Sequence, residues 1–248
     1  MVRTVGWFSC GDASAVACAI ALKERPETAI VRIVITAEHS DNDRFAADCA
    51  RWYGQDIVCL ASTAYADPWA VWEKRRYIAG IKGAPCTTEL KKAVRFKFQR
   101  ADDVHVMGYT VDELNRVERF RKENPEIDCW FPLVEHGLKK ADCHALIRAQ
   151  GIELPAMYRL GFGNNNCIGC PKGGAGYWNK IRIHFPAQFA RMAELSRRLG
   201  ARIVQQDGER CFLDELRTTT GRQRNEVEIE CSVFCMPVME SFAANAKA

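Results

Sequence analysis

The chain has no apolar stretch approaching the ~20 residues that span a bilayer. Its N-terminus also lacks the charged region and continuous apolar segment of a secretion signal. Membrane insertion and export are therefore not expected, and the expected compartment is the cytoplasm. No internal repeat and no low-complexity block interrupts the sequence, which leaves a globular chain. Excess charge of one sign is also scarce: 35 Lys and Arg against 31 Asp and Glu give a formal net charge of +4. Such a balance fits anionic small molecules as well as it fits RNA or DNA and excludes neither. What is plentiful is apolar content, 48% of 248 residues, enough for one large domain or one domain with an appendage. Twelve cysteines are present as well. Without a secretion signal they argue against a disulfide scaffold, so metal binding or catalysis should account for some of them.

In the first half, short β-rich runs alternate with helical patterns, which predicts a parallel sheet covered on both faces. Strands are expected at Val2 to Phe8, Ala29 to Thr36, Ile57 to Leu60, Val104 to Tyr109 and Ile127 to Leu133. Helices are expected at Ala13 to Glu24, Asn42 to Tyr53, Pro68 to Ile81, Thr87 to Arg100, Val111 to Lys122 and Lys140 to Gln150. The fold class is thus α/β, a doubly wound, mostly parallel five-stranded sheet. Beyond about Ile152 the pattern becomes loop-rich, with a helix from Pro186 to Leu199, and reads as a helical C-terminal appendage. This gives an α/β domain over 1–151 and a cysteine-rich segment over 152–248 that covers its crevice. In such sheets ligands sit beyond the carboxyl ends of the strands, where Ser9 to Ser14, Glu38 to Arg44 and Tyr109 to Arg116 are expected to emerge.

Two patches carry chemistry. In Ser9-Cys10-Gly11-Asp12-Ala13-Ser14, small residues let backbone N–H groups approach an anion while the next helix presents its positive end. The patch is neither a Walker loop nor a Gly-x-Gly-x-x-Gly fingerprint, and plain helix capping is its other reading. In Cys167-Ile168-Gly169-Cys170, two thiols are close enough to share a metal, and Cys86 stands at a loop-to-helix junction that favours its thiolate. Iron–sulfur and zinc both suit such thiolates. Basic residues follow these patches: Lys91, Lys92 and Arg95, Lys172 and Lys180, Arg116 and Arg119. Guanidinium forks suit phosphate and sulfate oxygens. Asp112 and Glu113 either cap a helix or reach magnesium. Tyr177 and Trp178 read as core aromatics or a base-stacking pair, Trp69, Trp72 and Tyr77 as one buried helix face, and the histidines other than His39 as ordinary.

Ser9-x-Gly11-x-x-Ser14 resembles the pyrophosphate-binding loop of ATP pyrophosphatases and of the phosphoadenylyl-sulfate (PAPS) reductase family, with Cys10 in place of a glycine. Further matches follow in the same order: Glu38-His39-x-Asp41-Asn42-x-Arg44-Phe45, Cys86-Thr87-x-x-Leu90-Lys91, and Gly161-Phe162 leading to Cys167-Ile168-Gly169-Cys170. The resemblance covers roughly residues 3 to 235. It implies an adenine nucleotide (ATP, PAPS or adenylyl sulfate) held by Ser9, Cys10, Gly11, Asp12, Ala13, Ser14, Glu38, His39, Arg44 and Arg116. It also implies a [4Fe-4S] cluster, with zinc as the alternative, on Cys86, Cys167 and Cys170. Family members with a cluster carry a Cys-Cys pair at the Cys86 position, where residue 85 here is Pro. The fourth ligand then comes from Cys235, Cys231, Cys10 or Cys129, Cys235 being the one assigned.

Glu230-Cys231 resembles the tail in which family reductases carry their nucleophile, although Ser232 and Phe234 replace its glycine and histidine. The resemblance implies that Cys231 attacks the sulfate sulfur, with Arg222 and Arg224 lowering its pKa and a thiol donor such as thioredoxin completing the reduction. Two other functions stay open. One is ATP-dependent thiolation of a nucleobase in RNA or DNA through a three-cysteine cluster, and the other is a non-catalytic nucleotide-binding regulator or defence component. A homodimer is compatible with each.

Overall fold

The computed structural model describes residues 2–80, 83–221 and 233–234. Along the chain run β1 (Thr4–Trp7), α1 (Asp12–Glu24), β2 (Ala29–Ile33), α2 (Asp41–Tyr53), β3 (Val58–Leu60), α3 (Pro68–Arg75), a π-helical turn (Thr87–Lys92) and α4 (Ala93–Phe98). Then come β4 (Val104–Val106), a 3-10 turn (Val111–Glu113), α5 (Leu114–Glu123), β5 (Cys129–Trp130), α6 (Pro132–Glu135), α7 (Lys140–Ala149) and α8 (Ala156–Arg159). α9 (Ala175–His184), α10 (Pro186–Arg198), β6 (Val204–Gln206) and β7 (Glu209–Cys211) complete the order. Among these described helices none is long and apolar enough to cross a membrane.

Two compact units form. The first comprises the described part of Met1–Val34, Glu38–Ala61 and Phe96–Asn165. The second comprises Ile35–Ala37 and the described parts of Ser62–Arg95 and Asn166–Ala248.

The first unit holds the sheet, whose strands lie in the order β3-β2-β1-β4-β5 and are all parallel. The fold is therefore α/β and doubly wound, with the order reversing between β1 and β4. All four residues of β1 are buried, as a central strand covered on both faces requires. Alanines 15, 17 and 21 and Cys18 make the inner face of α1 thin, so this helix can lie close to the sheet and to α7. Phe8, Phe45, Ile30, Leu133 and Ile147 fill the core around them, each at most 1% exposed. Burying a side chain of that size stabilises the unit by about 1.5–3 kcal/mol.

One glycine fixes how the loop after β4 meets α1. A Cβ on Gly108 would lie 2.6 Å from the Ser14 nitrogen and 2.7 Å from its Cα. Backbone cannot yield as a side chain can, so only glycine fits.

The second unit pairs α9 with α10 and adds the antiparallel hairpin β6–β7. Asp207 and Gly208 turn that hairpin, both with positive φ, 50° and 85°. Asn179 on α9 donates to the carbonyls of Arg217 (3.0 Å) and Thr220 (2.8 Å), tying the following chain to the helix. Phe234 is 2% exposed, with the Arg95 guanidinium 4.1 Å from its ring centroid.

Three elements differ from their sequence pattern. The helix expected to reach Ile81 stops at Arg75 because Arg76 is left-handed (φ 49°), which leaves Tyr77 40% exposed while Trp69 and Trp72 are buried. The strand expected from Ile127 to Leu133 is only Cys129–Trp130, since Pro132 opens α6. The helix expected from Thr87 begins as the π-helical turn.

Candidate functional site

The first unit offers an anion-sized loop at the point where the strand order reverses, the usual ligand position in such sheets. Ser14 organises it. Its Oγ accepts from the Ser9 N–H and Oγ, both at 3.1 Å, and donates to the Gly11 carbonyl at 2.9 Å. Gly11 is the extended N-cap of α1, and its carbonyl accepts from the Ala15 N–H at 3.0 Å. The positive end of a thirteen-residue helix thus opens on this bend.

Cys10 adopts the backbone conformation that glycine favours, φ 57°. An L-residue there costs about 1–2 kcal/mol. The thiol is fully buried and donates to the Asn42 carbonyl at 3.7 Å. Burial pushes its pKa far up, against the pull of Arg32, so Cys10 is a neutral packing group. Asn165 holds the same bend from the other side, its Nδ2 donating to the Cys10 carbonyl (2.7 Å) and to Asn42 Oδ1 (2.8 Å).

Asp12, 4% exposed, tethers the loop to α7 and α8. Its Oδ1 accepts from the Tyr158 hydroxyl (2.8 Å) and the Ala13 N–H (2.7 Å), and its Oδ2 lies 2.6 Å from His144 Nε2. Burial pushes the carboxyl up, but His144, the charge of Lys140 and the Tyr158 hydroxyl outweigh it and hold the pKa below the ordinary carboxylate range. The sign follows: the ionised form stabilises the fold above the unfolded value of about 3.9, and that contribution is lost as the pH falls through the lower folded value. Asp12→Asn is expected to cost about 1–3 kcal/mol at pH 7. The difference from wild type should be fully present above about pH 4 and shrink as the pH falls below it. Thermal unfolding followed against pH checks this, and a gap that persists unchanged into acid would refute it.

The other expected nucleotide contacts have partners inside the protein. Glu38 accepts from Asn42 (3.2 Å) and faces Arg32 at 3.7 Å. His39 Nδ1 accepts from the Asp41 N–H at 3.0 Å. Arg44 makes a two-pronged pair with Asp41 (2.7 and 2.9 Å), a bond to Asp48 (2.7 Å), and donates to the carbonyls of Glu153 and Leu154. Arg116 pairs with Glu113 and stacks 4.5 Å from the Tyr109 ring centroid. Glu113 also closes a capping box with Thr110, the capping alternative for this acidic pair.

The second unit gathers thiols. Cys86 directly precedes the π-helical turn, a helix irregularity that recurs at functional sites. The turn from Cys167 to Cys170 closes with a backbone bond of 3.2 Å over Gly169, whose φ is 80°. Tyr177, 2% exposed, locks it from within: the hydroxyl donates to the Cys167 carbonyl (2.6 Å) and accepts from the Cys170 N–H (2.8 Å). A Cβ on Gly173 would lie 2.0 Å from the Tyr177 ring, so this position too must be glycine. Cys86, Cys167 and Cys170 all line one pocket, whose remaining wall is mostly Ile35, Ala37, Pro68, Trp72, Leu90 and Pro171. Lys91 and Lys172 also line it. Soft donors in an apolar wall suit an iron–sulfur or zinc centre. As placed, no three His, Cys, Asp or Glu side chains among the described residues form a group that could hold a metal. Cys231, Cys235, Arg222 and Arg224 lie outside the described residues.

No family model matches the chain, and no curated protein matches it.

Sequence reasoning passed over several residues of these sites. His144, read as ordinary, lies against Asp12, 132 positions away, with no local spacing to announce it. Tyr158, Asn165 and Gly108 were equally silent. Tyr177 and Trp178 prove to be core, 2% and 0% exposed.

Proposed function

We propose that the chain is a PAPS reductase-like enzyme that performs reductive sulfur chemistry on an adenylated sulfate. The observation that carries this reading is one pocket whose wall includes Cys86 as well as the distant Cys167 and Cys170. The serine-bridged bend from Ser9 to Ser14 supports it, with backbone N–H groups and a helix terminus suited to nucleotide phosphates. Cys86, Cys167 and Cys170, together with Cys235, would hold a [4Fe-4S] cluster. Bound there, the cluster supplies a soft centre that can bind sulfur or accept an electron.

The Cys231 thiolate attacks the sulfate sulfur, the bond from that sulfur to the nucleotide phosphate oxygen breaks, and the nucleotide leaves. A thiol of the donor then attacks Cys231 sulfur. Sulfite departs with the bonding pair and a disulfide remains, so the substrate gains two electrons.

Nucleobase thiolation is the second reading. It is favoured by Pro85, which leaves Cys86 single and the pocket with three thiols.

Anaerobically purified protein should be brown, contain iron and sulfide in near-equal amounts, and release sulfite from adenylyl sulfate or PAPS with a dithiol. Cys231→Ser should abolish release and leave the colour. Colourless protein with stoichiometric zinc would remove both cluster-based readings, and sulfite release by Cys231→Ser would remove that residue from the chemistry.

A further inference from the structure

Cys167 and Cys170 are the first and last residues of a four-residue turn, in which the Cys170 N–H donates to the Cys167 carbonyl at 3.2 Å. Gly169, third in that turn, has a φ of 80°, the mark of type II. The end Cα atoms of a β-turn lie within about 7 Å of each other. A disulfide asks for about 4.4–6.8 Å, so this backbone can carry one with little movement. The Tyr177 hydroxyl holds both ends at that spacing, through the Cys167 carbonyl (2.6 Å) and the Cys170 N–H (2.8 Å). Burial first, and then the charges of Cys170 and Cys167, push the pKa of this hydroxyl well above its ordinary value, which places both thiols near one oxygen. Access separates them: Cys167 is half-buried, while Cys170 is 7% exposed. A Cys-x-x-Cys pair is either a metal clamp or a dithiol that cycles, and the second use needs only these two sulfurs.

We propose that Cys167 and Cys170 form a reversible redox pair, a dithiol that a low-molecular-weight disulfide such as oxidised glutathione converts to an intramolecular disulfide. The more accessible Cys167 reacts first. Its thiolate attacks one sulfur of the glutathione disulfide, that S–S bond breaks, and one glutathione thiolate leaves with the bonding pair. Cys170 then attacks the Cys167 sulfur, passes its proton to the second glutathione as it departs, and completes the bridge. The pair loses two electrons and one glutathione disulfide becomes two thiols. This chemistry goes beyond the cluster reading and does not rest on it. A closed bridge leaves neither sulfur as a thiolate ligand, so the same oxidation would also shut the pocket to metal.

The test equilibrates the full-length chain, stripped of metal by a chelator under argon, in mixtures of reduced and oxidised glutathione. Acid quenching, alkylation with iodoacetamide and tryptic mass spectrometry follow. Trypsin puts both cysteines on one peptide, 160–172, and Cys86 on another, 83–91. As oxidised glutathione rises, peptide 160–172 should lose both alkylation sites together, become two hydrogens lighter, and recover both on treatment with dithiothreitol. Cys170→Ser should stop at one glutathione on Cys167. Cys167→Ser should take up glutathione on Cys170 at least tenfold more slowly, because that sulfur is nearly closed to solvent. The proposal is overturned if Cys167 and Cys170 stay alkylated at every ratio, if each carries its own glutathione without a bridge, or if the bridge runs to Cys86. The wild-type measurement needs no substitution, so misfolding of a variant leaves the decision intact. Iron and sulfide measured before chelation report on the cluster separately, and either reading can fail while the other stands.

Discussion

Cys167→Ser is expected to emerge from anaerobic purification colourless, with iron and sulfide reduced at least tenfold, while its thermal unfolding stays close to that of wild type. The two halves of that expectation have separate causes. Serine offers a hard hydroxyl in place of a soft thiolate, and it stays protonated at neutral pH, so one of the three donors on the pocket wall is lost to iron. The fold loses little, because Cys167 is only half-buried and its structural bond runs from the Tyr177 hydroxyl to its backbone carbonyl, which serine retains. Cys59→Ser, at an exposed position on β3, should keep full iron content. Iron and acid-labile sulfide assays on the three proteins decide the matter. Full iron in Cys167→Ser would exclude that thiol as a ligand.

Gly108→Val should cost the first unit about 2–3 kcal/mol, the upper range for forcing atoms into a packed site. It should also weaken binding of adenine nucleotides by more than tenfold. The reason is the identity of the atoms in the way: the new Cβ would meet the Ser14 nitrogen at 2.6 Å and its Cα at 2.7 Å. Ser14 also bonds Ser9 and the Gly11 carbonyl, so displacing it opens the bend that is proposed to hold phosphate. A shift in the unfolding midpoint of about 4–12 °C corresponds to that loss in a chain of this size. Calorimetric titration with ATP and adenylyl sulfate reads the second effect. Wild-type affinity in Gly108→Val would show that nucleotide is bound elsewhere.

Much of the architecture was legible because it is written locally. The alternation of β-rich runs with 3.6-residue periodicity places β1 to β4 and α1, α2, α7 and α10 within a few residues of their observed limits. The hairpin β6–β7 was missed: Asp207-Gly208 is a turn signal, but the short polar strands around it hid it. What the sequence could not disclose depends on partners far along the chain. Arg44 matched a motif, yet its donors are spent on Asp41, Asp48 and carbonyls more than a hundred residues away. Asp12 read as one more residue of a small-residue loop, and only the folded chain brings Tyr158 and His144 to its two oxygens. Cys10 shows the reverse: its replacement of a glycine in the resembling loop was visible at once, while its left-handed backbone was not.

The phenol of Tyr177 bridges both ends of the cysteine turn. Loading such a turn resembles filling a mould rather than folding a finger around an ion. Little chain entropy would remain to be lost on uptake, so if the proposed centre is present, the chain should stay folded when it is chelated away and take it up again without a refolding step.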